Sequence, residues 1–204
     1  MKERSLLDKD GGGSKKLLLS VALGLFAKNG YPGTTVEDIV NKAGLTKGAF
    51  YYYFQSKEEV LEIIHNDYIE KQIALCNKVC VDYQDPRDQI RHIAKATIIN
   101  LGEYRANVSV YLQERRFLSG AGRKVVTTKR KEVDQIFTGI IERGVECGYF
   151  RPNLEPKVIA FGIIGMYAWV INWWKPDGDL SLEEIADQYV DLLLSGLEDS
   201  KTAS

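Results

Sequence analysis

Residues 30–58 read GYPGTTVEDIVNKAGLTKGAFYYYFQSKE, and the fold of the chain is decided there. Pro32-Gly33 is a turn signal, and Thr34 stands three residues before Glu37, the spacing of a capping box that opens a helix. That helix buries Val36, Ile39, Val40 and Ala43 on one side. Gly44 supplies a tight turn, and Thr46 is placed to cap a second short helix through its hydroxyl. Ser56 and Glu59 repeat the capping spacing and open a further helix.

Outward from this stretch the chain is helical in both directions. Upstream, Leu18, Val21, Ala22, Leu25 and Phe26 recur at helical spacing over residues 15–29, and Asn29-Gly30 ends the run. Residues 1–13 are charged and finish in three glycines, which predicts a flexible arm. Downstream, Leu61, Ile64, Tyr68, Leu75 and Val79 form the apolar side of a long helix that Asp85-Pro86 breaks. Apolar periodicity returns over residues 88–104, 107–118 and 124–147, then over 157–174 after Pro152 and Pro156. Ser181 with Glu184 caps a last helix that runs to Gly196. No strand-like alternation or internal repeat occurs. The expected fold is all-α with about nine helices. A flexible arm (1–13) precedes a three-helix DNA-binding domain (14–60) and a helical effector-binding and dimerisation domain (61–204). Val158–Trp174 is nearly all apolar, but it is short for a spanning helix, contains Asn172 and is framed by prolines, so a buried core helix is expected rather than a membrane segment.

The net charge of −1 conceals a division. Residues 1–57 carry nine Lys/Arg against five Asp/Glu, whereas residues 58–204 carry eighteen against twenty-three. A basic end on an acidic body suits a chain that docks one end on phosphate. The three cysteines, Cys76, Cys80 and Cys147, show no metal spacing, and reduced thiols in a cytoplasmic protein are expected. There is no secretory leader pattern. Two histidines, no nucleophile–base pair and no glycine-rich phosphate loop argue against an enzyme, and neither a cofactor nor a metal is expected.

The second short helix has the chemistry of a major-groove reader. Thr46 and Lys47 offer a hydroxyl and an ammonium in its first turn, while Gly48 and Ala49 leave the backbone free to approach a duplex. Tyr51 and Tyr52 follow one turn later, and Phe50 and Phe54 pin the helix to its neighbours. Tyr53 is assigned partly to the core. Thr35 and Lys57 are placed for phosphates on either side.

The stretch 15–61, with LFAKNGYPGTTVEDIVNKAGLTKGAFYYYFQSKEEVL at 25–61, resembles the amino-terminal domain of the tetracycline-repressor (TetR) family of bacterial regulators. The resemblance implies homodimers on palindromic double-stranded operators, released when a small-molecule effector binds the body. It places Thr35, Thr46, Lys47, Gly48, Ala49, Tyr51, Tyr52 and Lys57 at DNA-contacting positions. Phe50 stands where leucine is more common in the family.

The body must then supply a dimer face and an effector site. Leu182, Ile185, Ala186, Tyr189, Leu193 and Leu197 form a stripe that Val190, Leu192 and Leu194 widen, and Gly162, Gly165 and Ala168 allow close helix approach. Trp169, Trp173 and Trp174 cluster with Met166 and Tyr167, a grouping that serves either a plain core or a ligand wall. The segment NWWKPDGDLSLEEIADQYVDLLLSGL, residues 172–197, resembles the branch of the family that governs lipid or sterol breakdown and senses acyl-coenzyme A. That likeness implies a pocket including Tyr104, Arg115, Met166, Trp169 and Trp173, with Arg115 or Arg116 meeting the anionic coenzyme. The alternatives are an activator, a regulator of drug efflux and, least, an acyl-coenzyme A enzyme.

Overall fold

Several helix starts in this chain are set by short polar side chains, and the computed structural model shows where they act. It describes residues 11–198. Nine α-helices lie among the described residues: α1 (Gly11–Asn29), α2 (Val36–Ala43), α3 (Lys47–Tyr53), α4 (Lys57–Asp82), α5 (Pro86–Ile99), α6 (Leu101–Gln113), α7 (Gly120–Glu146), α8 (Pro156–Trp173) and α9 (Leu182–Leu197). A short 3-10 turn, Arg115–Phe117, follows α6, and the single isolated bridge pairs Phe150 with Glu198. The expected arm lies outside the described residues over 1–10, and its three closing glycines are instead the first residues of α1.

The capping box of α2 sits one residue later than expected. Thr35, not Thr34, is the N-cap, and it exchanges bonds with Asp38 rather than Glu37. The cause is Thr34 itself, which is fully buried and donates its hydroxyl to the Gly30 carbonyl (2.9 Å), tying off the preceding turn. Gly44 ends α2 at φ 67°, ψ 27°, the left-handed region that glycine enters without a Cβ penalty. Ser181 and Glu184 form the full reciprocal box at the start of α9. Ser56 accepts from the Glu59 amide, but the Glu59 carboxylate reaches the Gln55 amide, so that box is only half closed.

The chain divides into two compact units. The first combines residues 11–68 with Ser109–Val126. Its core is Leu18, Ala22, Phe26, Ile39, Phe50, Phe54, Leu61 and Ile64, and α1 packs on α2, which packs on α3. The second unit combines Ile69–Val108 with the chain from Thr127 onward. Within it α5 lies along α9 and also touches α8. Its core includes Ile90, Ile93, Ile98, Ile140, Phe150, Ile163, Val170 and Val190.

Two expectations for this second unit are corrected. The run 88–104 is not one helix: α5 ends at Ile99 with Asn100 as its cap, and Tyr104 departs from helical backbone at φ −101°, ψ 20°. α8 is not buried all round. Ala160, Ile163, Tyr167, Val170 and Ile171 face the core, while Val158, Phe161, Trp169 and Trp173 are exposed. By length and composition alone this helix is apolar enough to cross a bilayer, a test that core helices also pass.

Candidate nucleic-acid interface

α3 is held by its aromatic inner side. Phe50 and Phe54 are buried with ring centroids 5.3 Å apart, fixing which residues turn outward. Thr46 is the N-cap and accepts from the Ala49 amide at 3.1 Å, so its hydroxyl proton stays available to a partner. Tyr51 is 57% exposed and Tyr52 81% exposed, and both phenols are presented to solvent. Tyr53 is half-buried and meets Tyr52 edge-on at 4.8 Å, as its divided assignment expects.

Gly48 has a specific meaning. A Cβ built there touches only the Thr46 hydroxyl, at an ordinary 3.7 Å. The fold therefore does not require glycine, although glycine weakens a helix by about 1 kcal/mol relative to alanine. Nothing within the chain calls for the missing Cβ.

The charged positions are already engaged. Lys47 donates to Glu37 at 3.0 Å across two exposed side chains, a pairing of about 0–1 kcal/mol that a phosphate displaces easily. Thr35 donates its amide (2.8 Å) and hydroxyl (2.7 Å) to Asp38 Oδ2, and these bonds hold the Asp38 carboxyl below the ordinary carboxylate range. Lys57 donates to the Tyr31 (2.7 Å) and Thr34 (2.5 Å) carbonyls and lies 4.1 Å over the Tyr31 ring. Burial pulls its ammonium pKa down, against a rise from Asp38. Lys57 is thus first a strut that joins the α1–α2 turn to the start of α4.

Sequence patterning gave Tyr31 no role. Its ring packs on Phe26 (5.3 Å) and on Phe117 (5.4 Å), so the turn before α2 is anchored from two sides.

The expected effector residues are shared between the two units. Arg115 is exposed and belongs to the unit that carries α3, whereas Tyr104, Met166, Trp169 and Trp173 belong to the other. Tyr104 is half-buried beneath the Lys71 ammonium, 5.1 Å from its ring. Met166 is half-buried; Trp169 is 65% exposed. Trp173 borders an open surface cleft of about 200 Å³ with Trp174, Lys175, Gly178, Asp179 and Leu180. Arg105 steadies that corner by donating to the Trp174 carbonyl at 3.1 Å.

A different residue of this unit stands out. The Tyr167 hydroxyl is buried without a hydrogen-bond partner among the described residues, and its ring faces Phe137 at 6.5 Å. Burial first, and Cys76 second, push the phenol pKa far up, so it remains a neutral donor. An unanswered buried hydroxyl costs about 1–3 kcal/mol. The sequence signal was its place in the series 160, 163, 167, 170, which marks the inner face of α8. Cys76 is buried, with its thiol pushed up to about 12 by burial, and all three cysteines are free.

Comparison with known proteins agrees with this geometry. Residues 18–64 match the family described as bacterial regulatory proteins, tetR family, and residues 83–197 match the description tetracyclin repressor-like, C-terminal domain. The chain is 30% identical over 186 residues to the HTH-type transcriptional repressor KstR2 of Mycolicibacterium smegmatis, covering 90% of each chain. Its fold superposes on the ketosteroid transcriptional regulator KstR2 of Mycobacterium tuberculosis with a TM-score of 0.86 at 25% identity, over 93% of this chain and 97% of that one. It likewise superposes on AibR in complex with isovaleryl coenzyme A and operator DNA, with a TM-score of 0.83 at 27% identity, over 89% and 98%.

Proposed function

The chain belongs to the TetR family of bacterial transcriptional regulators, and from that premise we propose that it is a homodimeric repressor released from a palindromic operator by an acyl-coenzyme A thioester. It is a DNA-binding regulator and not an enzyme: the relative it matches over nine-tenths of its length is a transcriptional repressor. The observation that carries the DNA half is α3, a phenylalanine-pinned helix whose outward face is Thr46, Lys47, Gly48, Tyr51 and Tyr52, with a glycine the fold does not need. Thr35 and Lys57 would flank these residues on the duplex, with Ala49 nearest a thymine methyl. Two such helices, one from each protomer, would enter major grooves roughly 34–36 Å apart.

Dimerisation is supported by the outer stripe of α8, where Val158, Phe161, Trp169 and Trp173 are exposed beside Gly162 and Gly165. An apolar stripe with small residues at its centre suits a second copy of the same helix better than water. The effector class is supported by AibR, which holds isovaleryl coenzyme A together with operator DNA. The unanswered Tyr167 hydroxyl would answer the carbonyl of such a thioester. The place of action is the cytoplasm, with the DNA.

Release is tested by fluorescence anisotropy on an operator selected from random duplexes. Micromolar acyl-coenzyme A thioesters should free the labelled duplex, while coenzyme A alone should not. Release by no thioester, or equal release by coenzyme A, would contradict the effector assignment.

A further inference from the structure

Between Arg115 and Lys131 the chain carries seven Lys/Arg and no Asp/Glu, inside a body that is otherwise acidic. Four of these, Arg115, Arg116, Arg123 and Lys124, fall in the compact unit that carries α3, and all four are exposed. None has an ion-pair partner among the described residues. Arg116 is steadied 4.9 Å over the Phe117 ring.

Their backbone is fastened to the α1–α2 turn and to the start of α4. Phe117 packs on Tyr31, and the Ser119 amide (2.8 Å) and hydroxyl (2.6 Å) donate to Glu58 of α4. Gly122 lies so near Glu62 that an added Cβ would fall 2.0 Å from its carboxyl carbon. The acids of this neighbourhood are partly occupied or covered: Glu58 accepts from Ser119, Glu62 is half-buried and Glu114 is buried. The cations face water. They are joined to the same two pieces, the α1–α2 turn and the start of α4, that lead into Thr35 and Lys57.

We propose that Arg115, Arg116, Arg123 and Lys124 form a cationic ledge that binds operator phosphates beyond those reached by the helix-turn-helix. The ledge adds sequence-independent affinity and leaves base choice to α3. Each phosphate it neutralises releases condensed counterions, which makes the contact visible in salt dependence. The proposal rests on operator binding as set out above.

The test uses the full-length protein and the double variant Arg116→Gln/Lys124→Gln, whose thermal midpoint should match the parent because both side chains are exposed. Two duplexes are compared: the minimal palindrome and the same site with about ten flanking base pairs on each side. On the long duplex the variant should bind at least roughly 10-fold more weakly, and its log K against log [salt] slope should be shallower by roughly 3.6, about 0.9 for each of the four cations lost from the dimer. The loss should shrink on the minimal duplex, and the preference for operator over scrambled sequence should not change. Unchanged affinity and slope on the long duplex overturn the ledge. So does a variant that holds DNA like the parent yet needs tenfold more acyl-coenzyme A for release, since its cations would then serve the effector's phosphates. A parent that binds no palindrome specifically overturns the operator assignment itself, a distinct failure.

Discussion

Gly48 and Tyr167 lie in different units but raise the same question, since each is a local sacrifice that the isolated chain does not explain. Gly48→Ala should stabilise the protein slightly, by up to about 1 kcal/mol in thermal or urea unfolding. It should nonetheless weaken operator binding at least fivefold, because the added methyl holds α3 off the groove. A variant that gains stability and keeps full affinity would remove the case for close approach at this position. Tyr167→Phe deletes the unanswered hydroxyl and should leave stability equal or up to about 1 kcal/mol higher. Operator affinity should persist, while the acyl-coenzyme A concentration for half-release rises about tenfold. Unchanged release would show that the hydroxyl does not meet the effector.

Among the elements, legibility followed the range of the interactions that fix them. Helix starts depend on side chains within three residues, and Thr46 and Ser181 act as caps where local spacing puts them. α2 slipped by one residue because both Thr34 and Thr35 offer a hydroxyl, and only the buried bond from Thr34 to Gly30 separates them. The aromatic pins Phe50 and Phe54 were readable from their spacing, and so was the outward display of Tyr51 and Tyr52. The strut role of Lys57 was not, since its partners Tyr31 and Thr34 lie 26 and 23 residues away along the chain. Tyrosine 31 was hidden for the same reason. Substitution at Thr46 separates the two jobs of that residue: Thr46→Ala should lose about 1 kcal/mol of stability with the cap, and Thr46→Ser should retain both cap and operator binding. Equal stability of the alanine variant would mean that the 3.1 Å bond to Ala49 contributes nothing.

At the scale of the whole molecule, periodicity alone overestimates burial on α8. A helix apolar on every side reads as core, yet Trp169 and Trp173 face outward in a single chain. That surplus is what a symmetric partner would cover. Trp169→Glu, which places a charge in the seam, should convert the dimer to monomer in sedimentation velocity and weaken binding to a palindrome by 100-fold or more, with half-site affinity little changed. A variant that remains dimeric would move the interface elsewhere. The central claim, that α3 holds the operator, is tested most directly by the salt dependence of operator binding for Lys47→Ala beside the parent. The parent should bind as two protomers per palindrome. The folded variant should bind at least tenfold more weakly, with a slope shallower by roughly 2 for the two lysines lost from the dimer. Equal affinity and equal slope at every salt concentration would contradict it.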